Sequence, residues 1–148
     1  MQIVSPDTLA NIGEKITLIG LAAKAVGAEV AGGNAVALRS ARESLAASEA
    51  DYDKAMSELA PEQREWVETV FADALVKARA GRDGYHQAVY MAQIKWADDQ
   101  VRELEAVTTE LKDARTEWVQ DAMSYDVTAY QVAKLCGRTP STVQRWVK

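Results

Sequence analysis

The chain has 148 residues, of which 48 % are hydrophobic and 26 % are charged, an ordinary composition for a folded globular protein. Its 17 basic and 22 acidic residues give a net charge of −5, and the most apolar run, residues 16–36, is interrupted by charges and glycines, so we expect no membrane span and a cytoplasmic protein. Alanine is abundant, Gly and Pro are few, and no strand-like alternation is present, which together predict an all-α fold.

The first predicted helix covers residues 6–31 and carries an unbroken heptad pattern. Ser5 is placed to cap it and Pro6 to occupy its first turn. Gly32-Gly33-Asn34 ends it. The apolar seam consists of Leu9, Ile12, Ile16, Ile19, Ala23, Val26 and Val30.

Two further helices are predicted over about residues 34–59 and 61–79, with Pro61 in the first turn of the later one. Gly81 and Gly84 predict a short loop after them, with a continuous kinked helix as the alternative. The core-facing residues are Leu38, Ala41, Leu45, Tyr52, Met56 and Leu59, then the pairs Trp66/Val67, Val70/Phe71 and Ala74/Leu75.

A long helix is predicted from Tyr85 to Ser124, about 60 Å at 1.5 Å per residue. A helix of this length needs partners, either earlier helices of the same chain or a second copy. We therefore predict that residues 1–123 form a helical bundle or coiled-coil oligomerisation region, with a homodimer as the expected oligomer. The seam consists of Tyr90, Ile94, Ala97, Val101 and Leu104, and after a change of register of Val107, Leu111, Ala114 and Trp118.

The last 21 residues differ in charge from the rest of the chain. Residues 128–148 contain Lys134, Arg138, Arg145 and Lys148 and no acidic residue, so they carry +4, whereas the preceding 127 residues carry 13 − 22 = −9. Such asymmetry indicates a nucleic-acid-binding end on an acidic body.

Two short helices joined by a turn are predicted within this basic end. Thr128 can cap the first, Gly137 supplies the left-handed residue that ends it, and Thr139 with Pro140 starts the second. The inward-facing residues are Val132, Ala133 and Cys136 on the first helix and Val143, Trp146 and Val147 on the second.

This pattern resembles the helix-turn-helix of bacterial and phage DNA-binding proteins. Ala133 stands at the small position where the two helices touch, and Gly137 sits in the turn four residues later. The likeness covers about 20 residues, or about 35 if the end of the long helix, with Ala114, Trp118, Val119 and Ala122, is the supporting helix. It departs at Arg138, where an aliphatic residue commonly packs.

The resemblance implies that residues 124–148 form a DNA-binding module whose final helix enters the major groove of double-stranded DNA. Its implied base contacts are Ser141, Gln144 and Arg145, with Gln144 suited to adenine and Arg145 to guanine. The implied phosphate contacts are Lys134, Arg138, Thr139 and Lys148. The expected function is sequence-specific DNA binding, as in a small transcription regulator or a phage accessory protein.

Two other functions fit the same pattern. The chain would be a coiled-coil assembly protein if its C-terminal hairpin docked on a protein partner, with the basic groups solvated or paired to the acidic body. It would be a DNA-packaging or partition component if the motif served in a larger ring.

No catalytic residue, metal site or cofactor is predicted. Cys136 is the single cysteine and His86 the single histidine, too few for a usual metal-ligand set, and no Ser–His–Asp, Cys–His or phosphate-loop arrangement occurs. We expect Trp66, Trp96 and Trp118 to be core or interface anchors.

Overall fold

The computed structural model describes residues 4–148, and each regular element in that range is a helix. This confirms the all-α prediction. The chain divides into two compact units, the amino-terminal unit ending at Asp98 and the carboxy-terminal unit beginning at Asp99. The predicted boundary between residues 123 and 124 marks a different, functional division and stays a prediction. The helices are α1 (Pro6–Gly32), α2 (Ala35–Ser57), α3 (Pro61–Val70), α4 (Ala72–Arg79), α5 (Tyr85–Ser124), α6 (Ala129–Cys136) and α7 (Pro140–Trp146).

Local capping chemistry sets the ends of α1 and the start of α2. The Ser5 hydroxyl accepts the backbone N–H of Thr8, and Gly33 ends α1 in the left-handed conformation with φ of 72°. The Asn34 side-chain oxygen then accepts the N–H groups of Val36 and Ala37 at the start of α2. The tight turn folds α1 and α2 into a helical hairpin.

The core of the amino-terminal unit is built on the first half of the predicted α1 seam. Its four earliest members are buried, whereas Val30 at the end of α1 is exposed. Trp66 and Trp96 meet edge to face, with ring centroids 6.0 Å apart. The buried cluster contains Val4, Leu9, Ile12, Ile16, Ile19, Tyr52, Met56, Val67, Phe71, Ala74, Ala78, Tyr85, Val89 and Trp96.

Two glycines on α1 let the first turns of α5 approach closely. A Cβ atom on Gly20 would lie 2.3 Å from Cδ2 of Tyr85, and one on Gly13 would lie 3.0 Å from Cγ1 of Val89. Gly13 and Gly20 are one heptad apart, so they lie on the same face of α1. Because Gly13 and Gly20 have no Cβ atom, Tyr85 and Val89 can pack closely against α1 in the core.

The third predicted helix is in fact two helices, α3 and α4, separated at Phe71. Phe71 has φ of −99° and ψ of 9°, which ends α3, and its side chain is buried. After α4, Gly81 and Gly84 both have positive φ and form a loop, so the alternative of a continuous kinked helix is wrong.

The Tyr52 ring lies beneath the guanidinium of Arg79, whose carbon is 5.8 Å from the ring centroid, and Arg79 is paired with Glu49 at 3.0 Å. Burial raises the pKa of the Tyr52 phenol, and the nearby positive charge of Arg79 partly opposes the rise. The pKa of Arg79 is in turn raised, chiefly by its hydrogen bond to Glu49.

We expect the raised pKa of Tyr52 to make the amino-terminal unit sensitive to alkaline pH. Its stabilising contribution is fully present below the ordinary tyrosine pKa of about 10 and is lost as pH rises through the higher folded-state pKa. Tyr52→Phe should therefore reduce the loss of unfolding free energy between about pH 9 and 11, measured by urea denaturation. An unchanged pH slope in the variant would contradict the assignment.

The predicted single helix from Tyr85 to Ser124 is confirmed as α5, but its predicted seam is not the buried face. In the amino-terminal unit, Tyr85, Val89 and Trp96 are buried while Tyr90 and Ile94 are exposed. In the carboxy-terminal unit, every residue from 101 to 113 is exposed. None of the helices described over residues 4–148 is long and apolar enough to cross a membrane.

Candidate nucleic-acid interface

Helix α6 begins and ends as its sequence predicts. The Thr128 hydroxyl accepts the N–H of Gln131, and the Gln131 side-chain oxygen accepts the N–H of Thr128 at 2.8 Å, a reciprocal capping box. Gly137 follows the last residue of α6 with φ of 62°. Its left-handed backbone turns the chain, and the N–H of Arg138 returns to the carbonyl of Ala133 at 2.8 Å.

Helix α7 starts immediately after this turn. Thr139 is extended and accepts the N–H of Thr142 on its hydroxyl, while Pro140 occupies the first helical position. The Thr139 and Thr142 hydroxyls also share a hydrogen bond of 2.9 Å.

A small apolar cluster holds α6 and α7 against the end of α5. Val143 at its centre is 0 % exposed, and Val119 of α5 supplies the opposite wall. The predicted inward positions Val132, Ala133 and Val143 are thus in the core, with Trp146 and Val147 half-buried against it. The buried members are Val119, Val132, Ala133 and Val143, packed against by Met123, Val127, Ala129, Trp146 and Val147.

Polar side chains of α5 bind the last carbonyls of α7. Thr116 donates its hydroxyl to the carbonyl of Trp146 at 2.9 Å, and Gln120 donates its amide to the carbonyl of Val147 at 3.5 Å. These carbonyls have no partner within a helix that ends there. The Arg115 guanidinium lies 3.7 Å from the centroid of the Trp146 ring, a cation–π contact.

The contacts of Arg115, Thr116 and Gln120 with the end of α7 were not predicted. The available signal was the spacing of Thr116 and Gln120, which places them on one face of a helix one turn apart. No feature of the nearby sequence shows that Thr116 and Gln120 contact the end of α7.

We expect Arg115→Ala to destabilise the carboxy-terminal unit by about 1–2 kcal/mol, because it removes the cation–π contact and uncovers part of the Trp146 ring. The matched control is Asp113→Ala, an exposed position two residues earlier, which should change stability by less than about 0.5 kcal/mol. Equilibrium unfolding followed by tryptophan fluorescence measures both. Equal effects of the two substitutions would contradict a specific role of the stack.

The predicted DNA-contacting side chains all lie on α6, the turn, α7 or the residues that follow it, and all are exposed. Arg145 donates from Nη2 to the Thr142 hydroxyl at 3.1 Å. The ion pairs within residues 4–148 leave the four cations of the basic end without a carboxylate partner. The predicted base-contacting residues are Ser141, Gln144 and Arg145, and the predicted phosphate-contacting residues are Lys134, Arg138, Thr139 and Lys148.

Two residues of the predicted motif are placed differently from expectation. Cys136 is exposed, so its prediction as a core residue is wrong. It is the final residue of α6, and the apolar cluster covers the preceding turn at Val132 and Ala133. Trp118, expected as a core or interface anchor, is 67 % exposed, so a core role is wrong, and Val119 beside it is the buried support residue.

The charge of the carboxy-terminal unit is divided along its sequence. Residues 99–127 carry the acidic residues of the unit, and residues 128–148 carry only basic ones, so phosphate would be attracted to α6, the turn and α7 and repelled by α5. The acidic residues are Asp99, Glu103, Glu105, Glu110, Asp113, Glu117, Asp121 and Asp126, against Arg102, Lys112 and Arg115.

No grouping of three or more His, Cys, Asp or Glu side chains in the described part of the chain is placed to hold a metal ion. Comparison with protein-family models, with curated proteins and with solved structures gave no match to this chain. The functional proposal therefore depends on the residues and contacts of the chain itself.

Proposed function

We propose that this protein binds double-stranded DNA in a sequence-specific manner through a helix-turn-helix formed by α6 and α7, with the end of α5 as its supporting helix, and that it acts as a small transcription regulator or accessory DNA-binding protein. The observation that carries the proposal is the exposure of Gln144 and Arg145 on a short, firmly seated helix. Had these side chains packed against the protein's own helices, they would be unable to reach a base.

In the described residues, Lys134, Arg138, Arg145 and Lys148 take no part in an ion pair, which supports the proposal. Three ion pairs, Lys24 with Asp83, Lys77 with Asp73 and Arg79 with Glu49, lie within the amino-terminal unit. The cations of α6, the turn and α7 are left available for phosphates, whose neutralisation releases counterions and supplies most of the non-specific binding energy.

In the proposed mechanism, α7 enters the major groove with Ser141, Gln144 and Arg145 directed at base edges. Arg145 would exchange its hydrogen bond to Thr142 for two bonds to guanine, and Gln144 would form two bonds to adenine. Lys134, Arg138 and Lys148, with the hydroxyl of Thr139, would fix the register on the backbone. The contacts of Thr116, Gln120 and Arg115 attach the end of α7 to α5.

The proposal is tested by titrating labelled duplex DNA with the full chain at several salt concentrations, using fluorescence anisotropy. If the three cations assigned to phosphates each displace a counterion, the logarithm of the affinity should fall against the logarithm of salt with a slope of about −3 for one module and about −5 to −6 for two. Absence of binding at low salt, or an affinity that does not change with salt, would contradict DNA binding.

A further inference from the structure

An apolar stripe runs along the part of α5 that belongs to the carboxy-terminal unit. It is defined by Val101, Leu104, Val107, Leu111 and Trp118, each between 47 % and 67 % exposed. At 100° per residue, Leu104, Val107, Leu111 and Trp118 fall within about 60° of one another on the helix surface. Val101 lies about 60° to one side of Leu104, so the five residues together span about 120° of the helix surface.

The stripe borders the face of α5 that holds α6 and α7. That face carries Thr116, Val119 and Gln120, which contact α7 or lie in the apolar cluster. Val119 is about 100° from Trp118 around the helix. Arg115, whose guanidinium contacts the Trp146 ring, lies only about 20° from Leu104 around the helix, so a helix bound at the stripe would lie beside this contact.

This stretch of α5 lacks the support that a helix of its kind needs. Every residue from 101 to 113 is exposed, so α6 and α7 of the same unit do not cover it. Isolated helices of this length are marginal in water, and their stability in proteins comes mostly from packing of an apolar face. A surface of this length and spacing indicates a partner helix.

The charges beside the stripe are complementary to those of a second copy in one alignment. Glu105 and Lys112 lie on the same flank, one heptad apart, and neither takes part in the ion pairs of the described residues. In an antiparallel pair with its two-fold axis near residue 109, Glu105 of each copy lies beside Lys112 of the other. The same alignment brings Val101 of each copy opposite Trp118 of the other.

In a parallel, in-register pair, Glu105 and Lys112 form no ion pairs with the second copy. In a parallel pair, Glu105 faces Gln100 of the second copy and Lys112 faces Val107. Two ion pairs are gained only in the antiparallel alignment. Of these two alignments of a second copy, the charge pattern therefore favours the antiparallel one.

We propose that two copies of this chain form an antiparallel dimer through the stripe Val101, Leu104, Val107, Leu111 and Trp118, closed on one flank by reciprocal Glu105–Lys112 pairs. Formation of the dimer does not depend on DNA binding. Only the consequence of the dimer for the spacing of the two candidate DNA-binding modules rests on the proposed function. The end of α7 is held near residue 118 of α5, so at 1.5 Å per residue the two copies of this point are about 27 Å apart along the helix. This is comparable with the ~34 Å that separates half-sites one turn apart on DNA.

The first test is sedimentation equilibrium of the full chain without DNA, so that its outcome is independent of DNA binding. We expect a dimer for the unaltered chain and a monomer for Leu111→Glu, which puts a charge in the stripe. The matched control is Val76→Glu, an apolar residue of equal exposure, 63 %, on α4, which should remain dimeric. A monomeric unaltered chain, or a dimeric Leu111→Glu, would overturn the proposal.

The second test addresses direction through reciprocal charge reversal. Glu105→Lys and Lys112→Glu should each weaken self-association by about tenfold or more, because each turns two attractive pairs into repulsive ones. Mixed together, the two variants should form heterodimers in preference to either homodimer, with the affinity of the unaltered chain recovered. A mixture without preference for heterodimers would overturn the antiparallel alignment, since neither position meets a charge in a parallel pair.

Discussion

Replacing Gly20 with alanine should destabilise the amino-terminal unit by about 1–3 kcal/mol, despite the higher helix propensity of alanine. The added methyl group would lie 2.3 Å from the Tyr85 ring, and Tyr85 is part of the buried cluster. Relief requires either the ring or the helices to move, and both are packed on several sides. Chemical denaturation monitored by circular dichroism measures the effect.

Gly27 is the matched control for this substitution because it lies one heptad later on α1. A Cβ atom there meets nothing within 4 Å, so Gly27→Ala should stabilise the protein by up to about 1 kcal/mol through helix propensity alone. Opposite signs at two glycines of the same helix are the expected result. If Gly20→Ala is as stabilising as Gly27→Ala, α5 does not pack on α1 at this point.

Replacing Val143 with aspartate should remove the docking of α6 and α7 and, with it, binding to DNA. Val143 is 0 % exposed, so the carboxylate would be buried among Val119, Val132 and Ala133 without a partner. We expect a cost of more than about 3 kcal/mol, which exceeds what two short helices gain from a cluster of this size. Hydrogen exchange should show loss of protection in α6 and α7 while the amino-terminal unit stays protected.

Leu135→Asp provides the control in the same unit, because Leu135 is 86 % exposed on α6. It should leave the protection of α6 and α7 unchanged, with an effect on stability within about 0.5 kcal/mol. If the Val143→Asp variant still binds DNA, the apolar cluster is not required to hold α7 in position for DNA binding.

The parts of the fold that sequence predicted well depend on neighbours in the chain. Thr128, Gly137 and Thr139 act on backbone groups within a few residues, so their chemistry specifies the ends of α6 and α7 wherever these helices lie. Asn34 at the start of α2 likewise acts on the nearby N–H groups of Val36 and Ala37.

The parts that were missed depend on contacts between distant segments. A heptad pattern shows that a face is apolar and does not show what covers it, which is why Tyr90 and Ile94 were assigned to the α5 seam although Tyr85, Val89 and Trp96 are the buried residues. The break at Phe71 has no local breaker residue. The bonds from Thr116 and Gln120 to the end of α7 span about thirty residues and leave no signature in either segment.

The same distinction applies to the candidate site. Its outward residues follow from the helical period of α7, so the sequence alone places Gln144 and Arg145 on the exposed face. Cys136 was misplaced because the helical period does not show where the apolar cluster ends along α6. Arg115 was missed because its partner, Trp146, lies on another helix.

The most direct test of the proposed base recognition by α7 compares two single substitutions, one of a residue assigned to a base contact and one of a residue assigned to a phosphate contact. The preferred duplex is first selected from a random library with the unaltered chain, and affinities of each variant are then measured for that duplex and for a scrambled one. Arg145→Ala should reduce the ratio of the two affinities by about 5- to 150-fold, the equivalent of ~1–3 kcal/mol for one bidentate contact, whereas Lys134→Ala should weaken both duplexes alike. An unchanged ratio in Arg145→Ala, or no duplex preferred by the unaltered chain, would contradict the assignment of α7 as the helix that reads DNA.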